Sequence, residues 1–99
     1  MKIYSDEALT IPITAIEFGA VQAGDIKDVT VYVKNDSLAE LKNLKFTLDN
    51  PEISIVKAPE NLKPWGIDTL IVRWNVKVDL RKGLKAKINI NAEEYWSNE

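Results

Sequence analysis

Strict alternation of apolar and polar residues along four segments is the feature that most constrains how this chain can fold. The pattern is clearest over 29–34, where valine occupies every second position, and it recurs over 44–48, 70–76 and 84–92. A period of two is typical of β-strands with one buried face. Since a shift of one residue would turn each apolar set towards solvent, the register of these strands is predicted to be firmly fixed.

Weaker strand segments and turn-forming residues fill the intervals between these four segments. Strands are predicted over 11–18 and 53–56, and Pro12, which has no amide hydrogen, indicates an edge strand or a strand that changes sheet. Helical composition is confined to 37–42, which is long enough for at most one turn. Turns are predicted at Ala23-Gly24-Asp25, Asn35-Asp36-Ser37, Asn50-Pro51, Pro64-Trp65-Gly66 and Lys82-Gly83.

Several short strands separated by regularly spaced turns predict an all-β sandwich. The chain has 99 residues, of which 45% are hydrophobic and 28% charged, so it is a single globular domain over 1–99. The core is predicted to cover about 11–92. Residues 93–99, which include three glutamates, a tyrosine and a tryptophan, are predicted to form an acidic, aromatic C-terminal tail.

Two longer motifs are similar to those of a known group of domains. The first is IEFGAVQAGD over 16–25, followed by VTVYVKNDS over 29–37, and the second is AP…LKPWG…LIVRW over 58–74. They resemble immunoglobulin-like domains of the ASH and major-sperm-protein type, and the resemblance extends over about Ile11 to Ala92. It implies an immunoglobulin-like antiparallel β-sandwich of about seven strands. Trp65, between the proline and the glycine, departs from the pattern of that group.

The residue types present argue against catalysis and metal binding. The chain has no histidine and no cysteine, which removes the most common general base and the best nucleophile and metal ligand. Asp25, Asp28 and Asp36 are the candidates for a hard cation, but they lack calcium-loop spacing and are better explained as solvated turn residues. We predict that the protein is not an enzyme and has no cofactor and no metal site.

Charge and hydropathy limit the classes of partner. The net charge of −2 is close to balance, so no nucleic-acid partner is predicted. No run approaches the roughly 20 apolar residues of a membrane helix, and the N-terminus lacks the pattern of a signal peptide. We predict no membrane partner, and a location in the virion if the protein is viral and in the cytoplasm otherwise.

The stretch 73–87 is locally basic, with six lysine or arginine residues and one aspartate, and three aromatic residues, Trp65, Tyr95 and Trp96, lie where an interface is expected. Outward lysines in the stretch protect strand edges from aggregation, and an acidic protein partner is the alternative explanation. Trp74 shares the parity of its apolar neighbours and is predicted to be buried. The other tryptophans lie in a turn and in the tail, at an interface or folded back onto the sandwich. The candidate interface residues are Trp65, Arg73, Lys85, Lys87, Tyr95 and Trp96.

These features predict a non-enzymatic structural or interaction module that has a protein partner or associates with itself. The favoured setting is an accessory protein of a phage or virus particle, either a capsid decoration or a tail protein. A carbohydrate-binding or adhesive surface module is one alternative. A scaffold domain of the ASH and major-sperm-protein type is the other.

Overall fold

Eight strands and no helix make up residues 1–77 and 85–96, which are the part of the chain that the computed structural model describes. The all-β class predicted from alternation is therefore confirmed, with eight strands rather than about seven. Segment 11–18 forms two strands, and a further short strand precedes it. The strands are β1 (Lys2–Tyr4), β2 (Pro12–Ile13), β3 (Ala15–Glu17), β4 (Ile26–Lys34), β5 (Glu40–Leu48), β6 (Ile53–Lys57), β7 (Ile67–Asn75) and β8 (Lys85–Tyr95).

Two antiparallel sheets pack against each other. The five-stranded sheet has the order β2-β1-β4-β7-β6, and the three-stranded sheet has the order β3-β8-β5. β2 lies at an edge of the first sheet and β3 at an edge of the second, so the chain changes sheet directly after Ile13. Pro12 lies in the outermost strand, where a missing amide hydrogen leaves no ladder position unfilled. The prediction made from this proline is confirmed.

Apolar side chains from the alternating segments fill the space between the sheets. The largest fully buried side chain among the described residues is Trp74, which is 1% exposed. Its ring meets the ring of Phe18 edge to face, with centroids 5.4 Å apart, and its indole N–H donates to Glu52 Oε2 at 3.1 Å. The prediction that Trp74 is a core residue is confirmed. Other core residues include Ile16, Val31, Val33, Phe46, Leu70, Val72 and Ala86.

A buried asparagine joins two loops at one end of the sandwich. Asn35 is fully buried, and its side-chain nitrogen donates to the carbonyl oxygens of Ala39 (2.7 Å), Leu62 (3.2 Å) and Lys63 (3.1 Å). Its Oδ1 accepts hydrogen bonds from the backbone N–H and the hydroxyl of Ser37. The predicted turn at Asn35-Asp36-Ser37 is confirmed, and its first side chain also fixes the β6–β7 loop.

The region after this turn differs from the composition-based expectation. No helical turn forms over 37–42, because β5 begins at Glu40, which pairs with Tyr95 of β8. A bulge between Lys42 and Lys45, with Asn43 at a φ of 54°, shifts the pairing of β5 with β8 by one residue.

The last strand is longer than the alternation indicates. β8 continues past Ala92 to Tyr95, so Glu93, Glu94 and Tyr95 lie in the sheet rather than in a tail that follows it. The extension forms because β5 supplies ladder partners for these residues, and cross-strand pairing is a tertiary interaction. The turn predicted at Lys82-Gly83 lies outside the described residues, as does the core position predicted for Leu84.

The substitution Asn35→Asp tests the role of the buried amide. It replaces the donating nitrogen with an acceptor that faces three carbonyl oxygens, so we expect a loss of about 3 kcal/mol of unfolding free energy at pH 7. Burial beside carbonyl oxygens raises the pKa of the introduced carboxyl above its unfolded value of about 3.9. The deficit relative to wild type should therefore shrink as the pH falls towards 4, because the carboxyl of the folded state takes up its proton at a higher pH than that of the unfolded state.

Urea denaturation at pH 7 and pH 4 measures both effects. The matched control is Asn91→Asp, which makes the same chemical change on the exposed face of β8 and should cost about 0.5 kcal/mol or less. Equal losses for the two variants would contradict the role given to Asn35.

Candidate functional site

Exposed apolar side chains collect at the end of the sandwich that Asn35 organises. This end is formed by the loop 35–39, the loop 58–66 and the last residues of β8. The backbone N–H of Asn35 donates to the carbonyl oxygen of Gly66 at 2.9 Å, and Glu40 pairs with Tyr95, so the three segments are held together. The exposed members define what we term the aromatic end: Leu38, Trp65, Ile67, Tyr95 and Trp96.

Trp65 is presented by a tight turn in a conformation that tryptophan rarely adopts. The N–H of Gly66 donates to the carbonyl oxygen of Lys63 at 2.8 Å, Pro64 occupies the second position and Trp65 has a φ of 61°. These are the features of a type II turn, in which the third position favours glycine. Trp65 is nevertheless 54% exposed, so its side chain gains little from burial in return for this strain.

The glycine of this turn occupies the fourth position, Gly66, rather than the third, and the space around Gly66 explains why. A Cβ atom added to Gly66 would lie 2.9 Å from the carbonyl oxygen of Lys63, which is too close for any side chain. The turn therefore requires glycine at its fourth position, because no other residue fits there. A glycine at the third position would relieve the backbone strain, but that position carries tryptophan.

Tyr95 is fixed on the outward face of β8 by polar contacts. Its hydroxyl donates to Glu93 Oε2 at 2.8 Å, which raises the pKa of Tyr95. The same contact, with a second hydrogen bond from Asn43 Nδ2 at 2.9 Å, lowers the pKa of Glu93. The ammonium of Lys42 lies 4.8 Å from the ring centroid, within the range of a cation–π contact.

The basic candidates do not join this end. Arg73 lies on the five-stranded sheet and pairs with Asp28 through two hydrogen bonds, Nε to Oδ1 at 2.8 Å and Nη2 to Oδ2 at 3.0 Å. This contact lowers the pKa of Asp28 and raises that of Arg73, so the arginine charge is compensated by its neighbour. Lys87 is exposed at the far end of β8 in the other sheet. The structure therefore separates Arg73 and Lys87.

Most of the remaining basic positions lie wholly or partly outside the described residues. Lys85 pairs through its backbone with Glu17, and its side chain lies outside the described part of the chain. Arg81 and Lys82 lie outside the described residues as well. The stretch that is basic in sequence is thus divided between two sheets wherever the structure describes it.

The acidic candidates for a cation each have a structural contact instead. Asp25 accepts a hydrogen bond from the backbone of Gln22, Asp28 pairs with Arg73, and Asp36 accepts one from the α-amino group of Met1 at 2.8 Å. The last contact lowers the pKa of Asp36. Within residues 1–77 and 85–96, no group of three or more potential ligands of these types is placed to hold a metal ion.

Comparison with protein-family models, curated proteins and solved structures gives no match for this chain. The resemblance to domains of the ASH and major-sperm-protein type rests on the quoted motifs and stays a prediction. Over the described ranges, the structure contains no helix that is long and apolar enough to cross a membrane.

Two members of the aromatic end were missed by sequence reasoning. Leu38 lies within 37–42, the segment of helical composition, where no strand parity indicates that it is exposed. Ile67 has the opposite parity to Leu70 and Val72, which places it on the outer face of β7. Parity within the strand therefore identifies Ile67 as an exposed apolar residue.

A pair of substitutions at Trp65 tests the backbone strain of the turn. Trp65→Gly and Trp65→Ala both remove the indole, but only alanine keeps a Cβ atom in the left-handed conformation. We expect the glycine variant to be more stable than the alanine variant by about 1 kcal/mol, measured by chemical denaturation.

The same pair at Ile67 is the control. Ile67 lies in β7 and has no positive φ, so alanine should be more stable than glycine there by roughly 0.5 to 1 kcal/mol. The same order of stability at both positions would show that Trp65 is not strained.

Proposed function

We propose that the protein is a non-enzymatic interaction module that binds a partner protein through the aromatic end. The observation that carries this proposal is that every exposed large aromatic side chain of the described residues lies there: Trp65, Tyr95 and Trp96. Tryptophan and tyrosine are enriched at the energetically important centres of interfaces. Exposed large apolar residues elsewhere, such as Ile26 of β4 and the neighbouring Ile55 and Val56 of β6, are aliphatic.

Rigid presentation supports the same function. A hydrogen-bonded turn fixes the backbone of Trp65. The hydroxyl of Tyr95 donates to Glu93, which also accepts from Asn43, so the ring of Tyr95 has a defined position before a partner arrives. Ordering of side chains opposes association at roughly 0.5 to 1.5 kcal/mol for each mobile side chain. Fixing the Tyr95 ring and the Trp65 backbone in advance therefore favours tight binding. The strain at Trp65 also has a ready explanation if the position is selected for binding.

Site-specific photo-crosslinking in the producing cells tests this proposal. A photoreactive phenylalanine derivative is placed at Trp65 or at Trp96, and irradiation should give a discrete adduct with one protein from each position. The matched control position is Asn75, which is exposed at the opposite end of β7. It should give no such adduct.

Two outcomes would contradict the proposal. Equal adducts from Asn75 would show that contact is not confined to the aromatic end, and absence of adducts from both tryptophans would show that no protein binds there. The two exposed tryptophans also suit stacking on sugar rings, the alternative function. Absence of protein adducts, combined with glycan-array binding that Trp65→Ala abolishes, would favour that alternative.

A virus particle stays the favoured setting for the module, as predicted in the sequence analysis. In that setting, the protein should remain with particles purified from a producing culture, at a constant ratio to the major particle protein. Quantitative mass spectrometry of successive gradient fractions measures the ratio. A ratio that falls with each purification step would contradict this setting and favour a scaffold role inside the cell.

A further inference from the structure

One edge of β8 has no partner strand along much of its length. Odd-numbered residues turn their backbone groups towards β5, as shown by Lys87, whose carbonyl oxygen accepts from the N–H of Asp49. Even-numbered residues face the other way, and the N–H of Ile88 donates to the carbonyl oxygen of Thr14 at 3.4 Å. Among the described residues, no strand pairs with β8 on this side beyond that contact, so Ile90 and Ala92 present free N–H and C=O groups.

A groove in two neighbouring parts runs along the open edge. The apolar part, of about 370 Å³, lies between β8 of one sheet and β1 and β2 of the other. The second part, of about 330 Å³, lies between β8, Leu41 of β5 and Ser37, and is more polar. Met1 and Ile90 line both parts. Further lining residues include Ile13, Leu41, Ile88 and Ala92.

The geometry of edge and groove defines the shape of an occupant. Backbone groups at Ile90 and Ala92 match those of an extended strand, which would extend the three-stranded sheet. Alternate side chains of such a strand point into the groove, which is apolar beside Ile88 and Ile90 and more polar beside Glu94, and the others point to solvent. The occupant therefore needs apolar residues at every second position.

The charges at the edge favour a basic partner over a second copy. Glu94 shares the inward parity of Ile90 and lines the groove, and no described residue forms an ion pair with it. Lys2 also borders the groove. Because Lys2 has the parity opposite to the buried Ile3, it lies on the outer face of β1 and does not balance the charge of Glu94. Antiparallel pairing of two β8 edges would bring Glu93 and Glu94 of both copies close together, which is unfavourable.

We propose that the open edge of β8 binds an extended segment of a partner protein as an additional strand. The segment carries apolar side chains at alternate positions and a lysine or arginine beside Glu94. This site is separate from the aromatic end in its chemistry, because backbone hydrogen bonds along β8 supply much of the affinity and the groove supplies the sequence preference.

Selection from a library of random nine-residue peptides displayed on phage tests the proposal with the full-length protein as the target. Enriched peptides should alternate apolar and polar residues and contain a basic residue. The substitution Ala92→Pro removes an N–H that faces the open edge, which an edge strand tolerates, and should weaken binding of these peptides about tenfold or more. Ala92→Ser is the matched control, which keeps the N–H and should bind as wild type does.

A second measurement covers the case in which Ala92→Pro does not fold. N-methyl groups placed on the alternate residues of a selected peptide that face β8 should abolish its binding to the wild-type protein. The same groups on the intervening residues should not. The substitution Glu94→Lys should in turn change the selected charge from basic to acidic.

The proposal is overturned if no peptide is enriched, or if the enriched peptides lack alternation. It is also overturned if they bind Ala92→Pro as tightly as wild type, or if N-methylation has the same effect at both sets of positions. Sedimentation of the unliganded protein addresses self-association. A dimer that Ala92→Pro dissociates would assign the edge to a second copy instead. Failure of any of these tests leaves the crosslinking result at the aromatic end unaffected.

Discussion

Burial of one face of each long strand against the opposite sheet is the interaction on which the rest of this structure depends. Val31 and Val33 of β4 and Leu70 and Val72 of β7 are almost fully buried, and Trp74 fills the space towards Phe18. At about 25 cal/mol per Å² of buried apolar surface, such side chains supply the main favourable free energy of folding. No disulfide assists them, since the chain has no cysteine.

A single side chain connects this core to the surface that we propose as functional. Asn35 follows directly after the buried end of β4, and its amide holds the carbonyl groups of the β4–β5 and β6–β7 loops in place. The turn that carries Trp65 is therefore attached to the core through hydrogen bonds rather than through burial of its own side chain. This arrangement allows an exposed and strained residue to keep a defined position.

The edges of the two sheets differ in how far a neighbouring strand covers them. The strand that begins near Pro12 crosses from one sheet to the other, and its two parts each cover only a short length of edge. β3 is the neighbour of β8 on one side and is much shorter than β8. The pairing of β8 with β3 therefore ends while β8 continues. Open strand edges are sites of strand addition unless they are protected, and this edge ends in glutamates that oppose pairing with itself. Addition of a strand that carries a basic residue fits both the open edge and the glutamates near its end.

The sequence by itself determined the long strands, the buried positions of Val31 and Trp74 and the placement of Pro12 at an edge or a change of sheet, because each follows from period-two burial or from a missing amide hydrogen. It also identified Trp65, Tyr95 and Trp96 as surface candidates. Only the tertiary structure decided that these three lie at one end, since that depends on the pairing of Glu40 with Tyr95. The burial of Asn35, the extension of β8 and the separation of Arg73 from Lys87 were decided there as well. Each depends on contacts between residues far apart in the chain, which local patterns do not encode.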